Sequence, residues 1–258
     1  MAISLEQPNL EKLKISAVTS LNDYLDALLI GNDHEKKKSA LISYWVDDYV
    51  DYLKKENSFD PSKLIRYKRG NIIKVNLGFR IGSEQGGLHY AIVLDAENSI
   101  NSNTLTIVPL SSLKPTFKPS KYSVKLKSGA FKQCIIKVTT QLEALENKAI
   151  KHDSDRDILF AAIKEHGGPS PEDMQHLAEL RVQSIKITQE IENTAKLINE
   201  LHRMKSGSVA LLSQMTTVSK QRIFDPVKSS DPLYGIKLSD EDLDIIDNGL
   251  KALYFKKF

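Results

Sequence analysis

The sequence holds one cysteine, Cys134, and one tryptophan, Trp45, in 258 residues. A lone cysteine excludes an intramolecular disulfide and a cysteine-rich zinc site. No apolar run approaches the ~20 residues of a membrane span, and the N-terminus lacks the basic-then-apolar pattern of a signal peptide. A cytoplasmic location without membrane contact is therefore expected. Metal and nucleotide signatures are missing too. His152, His166, His176 and His202 form no i, i+4 pair, Asp153, Asp155 and Asp157 lack the remaining ligands of a calcium loop, and there is neither a P-loop nor a dinucleotide fingerprint. No metal or cofactor is called for.

Charge is present but uneven. Residues 1–61 carry 7 basic against 11 acidic side chains, whereas residues 62–127 carry 11 against 3. A concentrated positive field is the usual footprint of a polyanion partner, although a lysine-rich surface can also be mere solubilising charge.

Helical periodicity dominates two regions. Leu10, Leu13, Val18, Leu21, Leu25 and Leu28 predict a helix over about 9–30, stopped at Gly31 and Asn32. A second helix follows over about 35–56, and the short turn between them predicts an antiparallel hairpin. Residues 136–205 repeat the pattern on a larger scale. Val138, Leu142, Leu145, Ala149, His152, Arg156, Leu159 and Ile163 form one heptad-like seam, and Leu177, Leu180, Ser184, Ile187, Ile191, Thr194, Ile198 and Leu201 another. Between them Gly167 and Gly168 stop one helix, and Ser170, Pro171 and Asp173 open the next. The two seams are expected to pack mainly on each other, so that excising the hairpin would leave the rest folded.

Short strand-like runs fill the remainder: 72–77, 90–94, 105–110 and 122–126, then 209–212, with a final helix opened by Ser239 and Asp242. The predicted organisation is an N-terminal helical hairpin over 1–61, a discontinuous β domain over 62–127 and 207–258, and a helical-hairpin insertion over 128–206.

The densest chemical signal is KRGNIIKVNLG at 68–78, GSEQGG at 82–87, an apolar strand, and IVPLSS at 107–112. These blocks resemble the MazF/PemK-like toxins of type II toxin–antitoxin systems. SVALLSQMTTVSKQRI at 208–223 and the helix at 239–254 resemble the family's later strand and terminal helix. The resemblance implies an α+β fold: a small SH3-like (MazF/CcdB-type) β-barrel, here interrupted by the long antiparallel hairpin and preceded by the shorter one. It also implies a homodimer that binds RNA, is restrained by an antitoxin protein, and cleaves single-stranded RNA through the RNA's own 2′-hydroxyl without metal.

Residue by residue, the resemblance places Ser83, Glu84, Gln85, Gly86 and Gly87 in the loop bordering the groove, with Gln214 nearby. Ser111 stands where the family has a catalytic threonine. The family's catalytic arginine is replaced by His89, which can act as acid or base near neutral pH but is a poorer permanent phosphate clamp. Arg69, Arg80 and Ser112 complete the candidate substrate-binding set. Two readings stay open: a metal-independent endoribonuclease using His89 and Ser111, or a catalytically weakened module that binds nucleic acid or protein, in which His89 is only structural. A third makes the helical hairpins the working part and the β domain their scaffold.

Overall fold

The structure, a computed structural model, describes residues 5–204 and 207–255. It divides into two compact units, one of residues up to 59 together with 78–81, the other of 60–77 with all residues from 82 onward.

The smaller unit is a helical hairpin, α1 (Gln7–Leu29) and α2 (Asp33–Lys55). Asn32 closes a capping box at the start of α2, its side chain accepting from Glu35 N while Glu35 returns to its backbone. That box explains the early start of α2, because two orphan donors are satisfied at once. Little of the hairpin is covered: only Leu28, Ser39 and Ile42 are buried. Trp45 lies against Gly78, where a Cβ would come within 2.7 Å of the indole and where φ is +77°, so only glycine fits. Tyr44, next to Trp45 on the same helix, is by contrast 72% exposed.

The larger unit is built on strands β1 (Ile72–Asn76), β2 (Leu88–Val93), β3 (Thr104–Ser112), β4 (Val124–Lys125), β5 (Ser208–Ala210), β6 (Thr216–Ser219) and β7 (Ile223–Asp225), with helices α3 (Gly129–Glu165), α4 (Pro171–Arg203) and α5 (Asp240–Tyr254). The antiparallel order is β4-β5-β3-β2-β1-β7, with β6 also on β3. The sheet is open, ending at β4 and β7 among the described residues, rather than the closed barrel expected from the sequence. β3 changes neighbours along its length, from β6 at 104–107 to β5 at 110–112. Pro109 sits between these ladders, where a missing N–H is tolerated, and its carbonyl accepts from Leu211 N.

Alternation along the strands makes two cores. Ile73, Val75, Ala91, Val93, Leu105 and Ile107 pack with Tyr67, Val218 and Ile223 on one face. Ile72, Ile92, Val108 and Leu110 pack on the other with α5 and with Ala130, Cys134, Val138, Leu197 and Met204 of α3 and α4. The long hairpin packs mainly on itself, as expected, and its base in addition joins the sheet core. Helix α3 also begins two turns earlier than the periodicity suggested, because Ala130 and Cys134, one turn apart, face the sheet. Leu142 and Ile191, assigned to the seams, are 48% and 52% exposed. Towards the hairpin's tip, Leu145, Leu159 and Leu180 are buried, and His152 Nε2 lies 3.1 Å from the Leu180 carbonyl.

Two polar joints fasten helices to the sheet unit. Asp242, fully buried in the first turn of α5, accepts from Lys127 N, Ser128 N and Gly129 N at 2.6–3.1 Å, capping the start of α3 from another helix. Glu200 of α4 reaches Lys74 Nζ at 2.7 Å and the Tyr90 hydroxyl. Burial opposes ionisation of Glu200, but hydrogen bonds from Lys74 and Tyr90 outweigh it and hold its pKa below the usual carboxylate value.

Candidate functional site

Three separated stretches meet at one end of β2 and β3. β1 pairs with β2 so that Val75 faces His89, and β2 pairs with β3 so that Ala91 faces Pro109. Continuing the second register by two residues on each strand sets His89 opposite Ser111, with both side chains on the same face.

The loop at 82–87 returns over this pair. Gly82 and Gly87 have φ of +62° and +81°, and a Cβ would meet nothing within 4 Å at either. Glycine is thus required there for backbone conformation rather than for space. Gln214, in a single 3₁₀ turn after β5, pins the loop: its Oε1 accepts from Gln85 N at 3.1 Å and its Nε2 lies 3.5 Å from the Ser83 carbonyl. Gln85 Nε2 in turn lies 2.6 Å from His89 Nε2. In the Nδ1–H tautomer, His89 Nε2 presents its lone pair and accepts from the Gln85 amide.

Burial pushes the His89 pKa below the ordinary histidine value, while hydrogen bonds to the backbone of Gly86 and Leu110 pull it back only in part. His89 is therefore a neutral, partly buried imidazole at neutral pH, suited to accepting a proton and unsuited to serving as a fixed positive charge. Ser111 beside it can donate to an anion.

The other candidates disperse. Ser83 and Glu84 are exposed on the loop, and Gly86 lies next to Gly87 in its return. Ser112 follows Ser111 but points to the reverse face, where with Arg203 it lines a cleft. Arg69 is committed to the Leu94 carbonyl and to Asp247 of α5, and so holds that helix to the sheet. Arg80 belongs to the smaller unit. Sequence reasoning missed Glu200 and Arg203, although a glutamate between Leu197 and Leu201 on an otherwise apolar stripe was a readable signal. Among the described residues no three His, Cys, Asp or Glu side chains gather as a metal site, and no helix is long and apolar enough to cross a membrane.

No curated protein matches the chain. Residues 68–159 match the family model described as the PemK-like, MazF-like toxin of type II toxin–antitoxin systems. The match takes in β1 to β4 and runs into α3, further than the sequence motifs suggested, and it stops short of the second block at 208–223. The part of the chain that carries the loop, His89 and Ser111 thus lies within the stretch that is similar to the PemK-like, MazF-like toxins.

Proposed function

We propose that the chain is the endoribonuclease toxin of a toxin–antitoxin pair, cleaving single-stranded RNA through the 2′-hydroxyl without a metal ion. The observation that carries this is the pairing of a neutral His89 with Ser111 under a loop held by Gln85 and Gln214. The 2′-hydroxyl takes the place of the Gln85 amide at His89 Nε2 and gives up its proton there. The 2′-oxygen then forms a bond to phosphorus as the bond to the 5′-oxygen breaks. The leaving 5′-oxygen takes a proton from solvent water and His89 releases the proton it accepted to solvent, so a 2′,3′-cyclic phosphate and a 5′-hydroxyl result and the neutral imidazole is restored. Ser111 and the main-chain N–H groups of Gly86 and Gly87 supply donors for the equatorial oxygens as charge accumulates. Dimerisation, restraint by an antitoxin and a cytoplasmic site of action complete the reading.

Cleavage in EDTA that leaves 5′-hydroxyl ends is the test. His89→Ala should lower the rate by about 10² or more and Ser111→Ala by less. The ascending limb of the pH–rate profile should lie below the ordinary histidine pKa, because the base is neutral down to that pH. A divalent-metal requirement would overturn the mechanism. Salt-sensitive RNA binding with no cutting would instead establish a nucleic-acid-binding module, a reading favoured by the neutral His89 at the position where the family carries an arginine.

A further inference from the structure

The reverse face of the same strand ends is hollow. A cleft of about 200 Å³ lies there, lined by Leu88, Tyr90, Ser112, Phe131, Arg203 and Ser208. His89 and Ser111 also line it, and alternation along β2 and β3 sets their side chains on the face opposite those of Tyr90 and Ser112. Phe131 comes from the first turn of α3 and Arg203 from the last turn of α4. The two ends of the hairpin base thus form one wall, and the strands that carry the proposed chemistry form the other.

The lining has a defined chemistry. Glu200 is 6% exposed and is balanced within the unit by Lys74. Arg203 approaches the same carboxylate at only 3.6 Å and is 71% exposed, so the cleft carries a surplus positive charge at its mouth. Ser208 Oγ accepts from Ala130 N, which leaves its hydroxyl hydrogen to donate. Phe131 and Leu88 present apolar surface beside these groups. An accessible guanidinium, hydroxyl donors and an aromatic wall in so small a volume match one nucleotide, with its phosphate on Arg203 and its base against Phe131.

We propose that this cleft is a second RNA subsite, holding a nucleotide adjacent to the one cut at His89 and Ser111. The inference rests on the endoribonuclease reading for its geometry of cutting, but not for its geometry of binding. It makes the long hairpin part of the substrate-binding surface. The positive charge withdrawn when a neutral histidine occupies the arginine position is returned from α4, on the neighbouring nucleotide rather than at the reacting phosphate.

The experiment uses the full chain and a mixed-sequence, fully 2′-O-methylated single-stranded RNA, which binds but offers no 2′-hydroxyl nucleophile. Arg203→Ala should weaken binding about tenfold and reduce the slope of log affinity against log salt by about 0.7, the loss of one phosphate contact. Arg203→Lys should restore the slope but only part of the affinity, because the planar fork is lost. Phe131→Leu, which keeps the apolar packing, should weaken binding severalfold without altering the slope. With unmodified RNA, Arg203→Ala should raise KM far more than it lowers kcat. On a dinucleotide substrate, whose only phosphate is the one cut and which therefore leaves Arg203 without a phosphate to bind, its effect should vanish. Unchanged affinity and slope in Arg203→Ala would overturn the subsite even if wild type cleaves. Wild type that binds with the Arg203-dependent slope yet never cleaves would keep the subsite and remove the nuclease. Wild type that neither binds nor cleaves would remove both.

Discussion

The two helical hairpins have similar sequence signatures and opposite structural roles. Helices α1 and α2 bury Leu28, Ser39 and Ile42 and leave Leu13, Val18, Leu41 and Tyr44 about half exposed or more. The base of α3 and α4 places Ala130, Cys134, Val138, Leu197 and Met204 in the core of the sheet, and Glu200 in a buried ion pair with Lys74. Burial there is deep enough to push the Cys134 thiol up to about 12. An amphipathic period shows that a helix has an apolar face, but not whether anything covers it. What separates the hairpins is attachment: α3 follows directly on β4 and α4 runs almost directly into β5, so sheet geometry brings their ends together.

The largest expected effect follows from that attachment. Replacing residues 129–204 with a short Gly/Ser linker should abolish cooperative unfolding in calorimetry, because it removes Ala130, Cys134, Val138, Leu197 and Met204 from one of the two cores and uncovers the rest; a cooperative melt near the wild-type temperature would make the hairpin dispensable. Leu197→Ala, at 1% exposure beside the sheet, should cost about 3 kcal/mol in chemical denaturation. A cost under about 1 kcal/mol would mean that the hairpin base is loosely seated.

Asp225 tests the same joint electrostatically. Burial, with Asp231 and Glu200 nearby, raises its pKa to about 6, well above the ordinary aspartate value. The folded state therefore binds more protons than the unfolded state between about pH 4 and 6, and this group's contribution to stability falls as pH rises through that window. Asp225→Asn keeps an acceptor for Leu233 N and should remove the slope. The stability difference between variant and wild type should shift in the variant's favour by on the order of 2 kcal/mol from pH 4 to 7. A parallel pH dependence in both proteins would exclude a protonated Asp225. The smallest effect belongs to the other hairpin. Tyr44→Ser should change stability by less than about 0.5 kcal/mol, and a loss above about 1 kcal/mol would show that the exposed face is covered in solution.

Much of this was legible in the sequence. The capping box at Ser170 and Asp173 forms as the residue types implied, and Ser239 accepts from Asp242 N at the start of α5. The loop at 82–87, His89, Ser111 and Gln214 come together although they span more than 130 residues. That the sheet stays open was not legible, because closure depends on how far short strands such as β4 extend, and Val124–Lys125 is all that pairs of the expected 122–126. Arg69 looked like a phosphate ligand because charge alone does not reveal a partner 178 residues away. That Ser112 lines a different face from Ser111 was not legible until the strand was placed, because neighbours in sequence take opposite faces of a strand.

Asp242 has a consequence in time. Its carboxylate closes the N-terminus of α3, yet it lies 113 residues downstream of Gly129. During synthesis the sheet strands β1 to β3 and both long helices emerge with that helix end uncapped and the α5 side of the core unfilled. The joint between hairpin and sheet can be completed only after residue 242 has been made. A ribosome that stalls anywhere in the preceding hundred residues therefore releases a chain with the loop, His89 and Ser111 already present but without the clamp that fixes the hairpin beside them.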